Sequence, residues 1–269
     1  MDKKNPRKRI RMFRVWLRIS ALAAQSQLLT SWAGFLFLIG KIIRFILFFV
    51  FLFSVLAGTK QLAGFSREQV IFFFLVFNLV DIIPQFLFRG TYRFRSLVVK
   101  GEFDLDLLKP WPSYFRPIFG WSDFLDFLTL IPLLGYLFYY ASANHLASGV
   151  QGLILFVLLL INAVIISFSF HLVVSAVCIM TLEIDHLILV YRDLTSMARF
   201  PTDIYPQMVQ YLLTFTIPVV LMFTVPAKTI MGLLSWHWVA VSFLLGIIFL
   251  FFSLNFWKYS LKRYTSASS

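Results

Sequence analysis

The strongest constraint on this chain is a series of six long apolar runs. Each is about 20 residues or longer, the length of helix that crosses the hydrocarbon core of a bilayer. With 60% hydrophobic and only 13% charged residues in a chain of 269, the protein has too little polar surface to cover a soluble core. The sequence therefore predicts an all-α integral membrane protein, a single transmembrane domain over residues 1–269 with spans at about 31–57, 67–89, 121–141, 150–180, 207–225 and 235–257.

The net charge of +12 is concentrated at the flanks of these runs. The 89–116 connection and residues 258–263 are rich in Lys and Arg, whereas the 141–150 connection contains neither. Since Lys and Arg collect on the cytoplasmic side of membrane proteins, both termini and the 90–120 connection are predicted to be cytoplasmic, and parity puts the 181–206 connection there too. The flanking positions favour membrane lipid over nucleic acid as a partner. The N-terminal cluster consists of Lys3, Lys4, Arg7, Lys8, Arg9, Arg11, Arg14 and Arg18.

Residues 10–29, IRMFRVWLRISALAAQSQLL, have the pattern of a helix that lies in the membrane interface. Apolar residues recur at helical spacing on one face, and Arg11, Arg14 and Arg18 occupy the other. The sequence predicts an amphipathic interface helix with Trp16 at the depth of the lipid headgroups.

The stretch GEFDLDLLKPWPSYFRP, residues 101–117, interrupts the apolar sequence with charges and three prolines. A short helix is predicted from Glu102 to Lys109, because acid at its start and base at its end suit the helix dipole. Phe103, Leu107 and Leu108 are predicted to share one face of it. Two interpretations are open: a surface helix between two spans, or a helix that docks into a groove of another protein.

Three ionisable residues lie within predicted membrane depth: Lys41, Arg44 and Asp81. Such residues are costly in the bilayer and suggest a function by default, so Asp81 is a candidate for a proton or ion path. A structural alternative has both cations extending toward the cytoplasmic face and Asp81 paired with Arg44. We favour the structural pairing.

The sequence contains none of the common catalytic motifs. There is no GxxxxGK[ST] phosphate loop, no HExxH and no paired CxxC, and Cys178 is the only cysteine. Glu183, Asp185 and His186 are close in sequence, but a helix would not bring all three together. Asp123 and Asp126 are predicted in the first turn of the third span, after Ser122 as N-cap. No catalytic, cofactor-binding or metal-binding residue is predicted.

The segment 200–233 is an apolar run broken by prolines. Pro201 and Pro206 precede it, and Pro218 and Pro226 interrupt it. A broken helix cannot face lipid with unsatisfied backbone groups, so it is either buried in protein or lines a polar cavity. A kinked span followed by an ordinary loop is the alternative.

Two motifs resemble a bacterial family of six-span permeases of the type-2 ATP-binding-cassette (ABC) exporter class. One is VVKGEFDLDLLKPWPSYF, residues 98–115, and the other is ARFPTDIYPQMVQYLLTFTIPVVLMFTVPAKTIMG, residues 198–232. The chain length, the basic N-terminus and the order of the motifs match the family as well.

The resemblance implies a permease subunit in a bacterial cytoplasmic (inner) membrane that carries no cofactor itself. It would pair with a second copy or a paralogue and bind a separate ATPase subunit that holds ATP and Mg²⁺. The 90–120 connection would contain the coupling helix, and the segment from Pro218 through Pro226 to Gly232 would be an extracellular re-entrant part. Coupling-helix contacts to the ATPase would be Glu102, Phe103, Asp104, Leu107, Leu108 and Lys109, and a second cytoplasmic contact would be Tyr191, Arg192 and Leu194. The alternative function is an ion- or proton-coupled secondary transporter that uses Asp81. The transported substrate is not predicted.

Overall fold

The computed structural model describes residues 6–29, 31–58, 61–147 and 149–265, so Lys3 and Lys4 lie outside the described residues. It is 81% helical with almost no sheet, which confirms the predicted all-α membrane fold. The helices are α1 Pro6–Leu29, α2 Ser31–Ala57, α3 Arg67–Leu87, α4 Thr91–Val99, α5 Glu102–Leu107, α6 Phe115–Phe119, α7 Phe124–Ala143, α8 Gly149–Thr181, α9 Asp185–Ser196, α10 Gln207–Phe215, α11 Val225–Ile230 and α12 Trp236–Leu261. Two short antiparallel strands, β1 Gln61–Leu62 and β2 Phe65–Ser66, join α2 to α3.

Five helical stretches are long and apolar enough to cross a membrane: residues 34–57, 67–99, 124–143, 149–181 and 236–261. Their ends are fixed by local signals. The turn between the strands contains Gly64, which has a positive φ of 83°. The next helix, α3, starts with a capping box in which Ser66 and Gln69 satisfy each other's backbone N–H groups. The N-cap of α7 is Asp123, whose carboxylate accepts from the Leu125 amide, and not Ser122 as predicted.

Helices α8 and α12 pack closely along their lengths. The Asn162 side chain on α8 donates to the Ser242 carbonyl oxygen on α12 at 2.9 Å. A Cβ at Gly246 would lie 2.1 Å from Asn162 Oδ1, so only glycine lets the two backbones approach this closely. At one end of the pair, Trp257 Nε1 on α12 donates to Ser113 Oγ in the connection that precedes α6.

The two ends of α3 define two sides of the molecule. We call them the hairpin side, at Phe65 where α3 begins, and the α4–α6 side, where α3 ends. Leu182, just after α8, lies on the α4–α6 side, since its carbonyl oxygen accepts from Arg95 Nε at 2.7 Å. Asp203 lies on the hairpin side, since it pairs with Lys228, whose ammonium is 5.5 Å from the Phe65 ring centroid.

Residues 182–203 therefore run the length of α3. Midway, the Arg199 guanidinium is 5.9 Å from the ring centroid of Phe77, in the middle of α3. The 12 residues of α9 alone advance about 18 Å, and two 3₁₀ turns, Met197–Arg199 and Thr202–Ile204, supply much of the remainder. This finding corrects the predicted 181–206 connection, which is a crossing segment interrupted by polar residues.

The predicted fifth span, 207–225, is corrected as well. It consists of α10 and a second helical stretch, Val220–Ile230, bent 85° from α10. Pro218 lies in the bend, where its missing N–H ends the first helix. The Lys228–Asp203 ion pair, 2.6 Å between Nζ and Oδ1, ties the end of the bent segment to the residues just before its start. The segment thus enters and leaves on the hairpin side, while Phe223 packs against Phe77 at a centroid distance of 5.1 Å.

Helix α1 packs against the start of α7. Gln27 forms two bonds there, from its Nε2 to the Ser122 carbonyl oxygen at 3.1 Å and from the Phe124 amide to its Oε1 at 3.0 Å. The Trp16 ring packs edge-on against Phe86 of α3. These contacts place α1 beside the α4–α6 side of the bundle, and its position in a membrane interface remains a prediction.

Candidate functional site

A cavity of about 450 Å³ lies between α2, α3 and α7. This volume is within the range of ligand pockets. Its wall is largely aromatic and aliphatic, with Phe45, Phe48, Phe74 and Phe77 on α2 and α3 and Leu133 on α7. Its polar lining residues are Lys41, Arg44, Asn78, Asp81, Gln85, Asp126, Thr129, Tyr136 and Arg199.

The cavity contains all three ionisable residues that the sequence placed within the membrane, but their pairing differs from the prediction. The Lys41 ammonium pairs with the Asp126 carboxylate on α7. Asp81 Oδ2 accepts from Gln85 Nε2, one turn later on α3, at 2.7 Å. Among the ion pairs of the described residues, none joins Asp81 to Arg44, so the predicted salt bridge is corrected. The physical reason is that Gln85 satisfies Asp81 within its own helix.

Asp126 and Arg199 are cavity residues that the sequence analysis missed. Asp126 was interpreted as an N-terminal dipole partner, although its side chain is only 1% exposed and faces Lys41. Arg199 was assigned to a connection, whereas it lies between the Phe48 and Phe77 rings at 5.6 and 5.9 Å from their centroids. An arginine at this depth is costly in the bilayer. The available signal was its position between aromatic runs and two prolines, which periodicity alone does not resolve.

A second candidate region is the compact module of α4, α5 and α6 at the end of α3. Gly101, with a φ of 70°, makes the sharp turn between α4 and α5. Gly90 allows the start of α4 to approach α6, since a Cβ there would lie 2.7 Å from the Ile118 carbonyl oxygen. The Arg116 guanidinium joins α6 to α5 through Glu102 and Asp106, each at 3.0 Å. Helix α5 is therefore held rigidly.

The exposed face of α5 differs from the predicted one. Phe103 is 0% exposed and packs between Phe94, Trp257 and Tyr264. Asp104 is bonded to the Tyr264 hydroxyl at 2.8 Å. Burial and the nearby Asp104 carboxylate raise the pKa of Tyr264 to about 12, so the phenol stays protonated and donates at neutral pH.

The free apolar face consists of Leu105, Leu107 and Leu108, and Leu108 is 84% exposed. Phe103 does not share it, because a helix of six residues has one inward face, and the largest aromatic side chain fills the space beside α12. Lys109 remains half-exposed beside Asp106, to which its ammonium is paired at 3.1 Å.

The predicted second contact region, on α9, is also corrected. The Tyr191 side chain is 8% exposed and stacks on Phe170 of α8 at 4.5 Å between centroids. Its hydroxyl lies 3.1 Å from Ser167 Oγ. Leu194 packs against the same core, and Arg192 is exposed. The apolar stripe of α9 is therefore used inside the chain, and Tyr191 is not available to a partner.

The re-entrant candidates occupy different environments. Pro218 and Pro226 are buried, and Pro226 lies at the start of α11, where a missing N–H is tolerated. Gly232 is exposed with a positive φ of 68°, which suits the turn into α12. Their role in a transport pathway remains a prediction. Within the described part of the chain, no three His, Cys, Asp or Glu side chains converge as metal ligands, and Glu183, Asp185 and His186 form no such group.

Comparison with known proteins gives one match. The family model described as ABC-2 family transporter protein matches residues 38–268. No curated protein and no solved structure matches the chain. The match covers all the spans except the first few residues of α2, together with the cavity and the α4–α6 module. The chain therefore belongs to the ABC-2 transporter family, as a membrane permease subunit.

Proposed function

We propose that this chain is the transmembrane subunit of an ATP-driven ABC exporter, that it forms half of the substrate pathway, and that it binds a separate ATPase subunit. The sequence has no phosphate loop, so ATP and Mg²⁺ would be held by the partner. The basic α4–α6 side would face the bacterial cytoplasm, with both termini. The second half of the pathway would be another copy of this chain or a paralogue.

The observation that carries the proposal is the exposed leucine edge of α5. Three leucines at 105, 107 and 108 are exposed on a helix whose other face is fixed to the end of α12. Exposed apolar side chains on a rigid, charged module are typical of an interaction surface. A short helix of this kind fits the groove of a partner.

The attachment of α5 gives the contact a mechanical consequence. The Phe103 ring is 6.2 Å from the Trp257 ring between centroids, and Trp257 Nε1 is bonded to Ser113. Any displacement of α5 by a partner would therefore move the end of α12. Helix α12 is in turn packed on α8 through Asn162 and Ser242.

The test is to replace Leu105 and Leu108 together with Ser in the full chain and to purify it from its native membranes. We expect at least a tenfold loss of a co-purifying ATPase that carries the phosphate-loop motif, with the thermal stability of the permease unchanged. The matched control is Leu233→Ser, an exposed leucine on the hairpin side, which should leave the association intact. Phe103→Ser is unsuitable as a test because it removes a buried ring. Normal ATPase association in the double variant would contradict the proposal.

A secondary transporter that uses Asp81 is the competing function. Asp81 lines the cavity, which supports this alternative as well. The two functions separate on Asp81→Asn. An ion-coupled carrier should lose transport and should need no ATPase, whereas the exporter should keep ATP-dependent transport.

A further inference from the structure

The cavity between α2, α3 and α7 is polar at one end and aromatic at the other. Lys41, Asp126 and Gln85 lie toward the α4–α6 side, because Asp126 is in the first turn of α7 and Gln85 in the last turn of α3. Phe74 and Phe77 lie farther along α3, toward the hairpin side. A ligand that fills such a space needs a polar head and an apolar tail.

The charges of the lining do not balance. The cations are Lys41, Arg44 and Arg199, and the carboxylates are Asp81 and Asp126. Both carboxylates already have a partner within the cavity, Gln85 and Lys41 respectively. In the described part of the chain, neither arginine takes part in an ion pair within 4.0 Å. One positive charge is therefore left over in a segment where charge is costly.

One hydrogen-bond acceptor in the cavity is also unused. Asp126 Oδ2 is buried and has no hydrogen-bond partner, although the other oxygen of the same carboxylate is paired with Lys41. A buried carboxylate oxygen without a donor costs free energy. A ligand with a hydroxyl group would satisfy it.

The polar end is accessible from the side of the bundle. Arg44 is exposed, and so are Ile42, Ile43 and Ile46 around it on α2. A molecule dissolved in the membrane leaflet could therefore reach the cavity without passing through water. The tail would follow the aromatic wall, and the head would remain at the polar end.

We propose that this cavity binds an amphiphile whose head carries one negative charge and hydroxyl donors. Arg44 and Arg199 would contact the anionic group, Asp126 Oδ2 would accept from a hydroxyl, and Phe48, Phe74 and Phe77 would contact the chain. The binding stands on its own. The further step, that the amphiphile is the cargo, rests on the proposed exporter function.

The experiment reconstitutes the full chain in phosphatidylcholine vesicles and measures the motionally restricted fraction of spin-labelled phosphatidylglycerol against spin-labelled phosphatidylcholine. We expect at least a fivefold preference for phosphatidylglycerol that disappears in Arg44→Gln/Arg199→Gln. The matched control Lys258→Gln/Lys262→Gln removes the same charge from exposed positions at the end of α12 and should keep most of the preference. Thr129→Trp, which narrows the cavity, should lower it, and the near-isosteric Thr129→Val should not.

Several outcomes would overturn the proposal. Equal restriction of the two lipids by the native chain would do so, as would a preference that survives the arginine variant or is lost equally in the lysine control. Displacement by glycerol phosphate alone, at millimolar concentration, would show that the aromatic wall is not used. Cross-linking of two Arg44→Cys chains without any lipid preference would assign the arginine to a second subunit.

The result is separable from the proposed function. A chain that binds its ATPase partner but shows no lipid preference would refute the cavity ligand only. A chain that prefers phosphatidylglycerol but binds no ATPase would refute the exporter assignment and leave the binding site in place.

Discussion

Helices α2 and α3 are both long apolar runs, yet they have opposite surroundings. In its most apolar window α2 is 6% buried, whereas the stretch that contains α3 is 61% buried. Helix α3 is enclosed by α7, α8 and the bent 207–230 segment, and eleven of its residues are buried. The difference shows that apolar composition places a helix in the membrane, but only its neighbours decide whether it is core. Lipid tails are as apolar as a protein interior, so the two fates need the same side chains.

The largest effect should come from truncating the same residue type on the two helices. Leu75 on α3 is 0% exposed, and Leu47 on α2 is 62% exposed. We expect Leu75→Ala to lower the free energy of unfolding by about 2–5 kcal/mol through a cavity that cannot collapse. Leu47→Ala should change it by less than about 0.5 kcal/mol. Thermal unfolding of each purified variant in the same detergent measures both, and equal losses would contradict the comparison.

A smaller effect tests the one place where α2 is fastened by charge. Lys41→Gln should cost about 1–3 kcal/mol, because it leaves the buried Asp126 carboxylate without its cation. The double variant Lys41→Gln/Asp126→Asn should recover most of the loss. Arg44→Gln, one turn away and exposed, should have little effect on stability. The same thermal assay, run as a double-mutant cycle, measures the coupling, and additive losses would mean that the pair is not formed.

The smallest effect should separate two glycines. Gly246→Ala should destabilise by about 1 kcal/mol, since its Cβ would displace Asn162 from Ser242. Gly40→Ala on α2 meets nothing within 4 Å and should stabilise by about 0.5–1 kcal/mol through helix propensity. Opposite signs in matched unfolding curves would sharpen the comparison. Destabilisation by Gly40→Ala would show that α2 is packed more closely than it is in the isolated chain.

The sequence predicted the helices that cross the membrane without interruption, because about 20 apolar residues have one physical use in a chain of this composition. It did not predict the crossing by α9. Asp185, Arg192 and Asp193 give that segment the composition of a loop, and the structure accommodates them on its exposed side. Breaks at Phe200 and Pro201 further hide the helical period.

The candidate site was predicted in part. Lys41, Arg44 and Asp81 were identified because ionisable residues stand out in apolar runs, and all three line one cavity. Asp126 and Arg199 were missed because they lie close to the ends of their elements, where charge is ordinary. Phe103 was placed on the wrong face because periodicity over six residues cannot distinguish a face that binds a partner from one that fills the chain's own core.

The ion pair between Lys228 and Asp203 joins residues 25 apart in sequence and closes the bent segment into a ring. Both side chains are partly exposed, at 20% and 32%, and such a pair contributes no more than about 1 kcal/mol. The ring is therefore a weak latch around a strongly anchored plug. Leu213, Leu221 and Phe223 are buried in the main core and hold the segment in place. Raising the ionic strength would release the latch and leave the plug seated, so an opening on the hairpin side would require the core itself to repack.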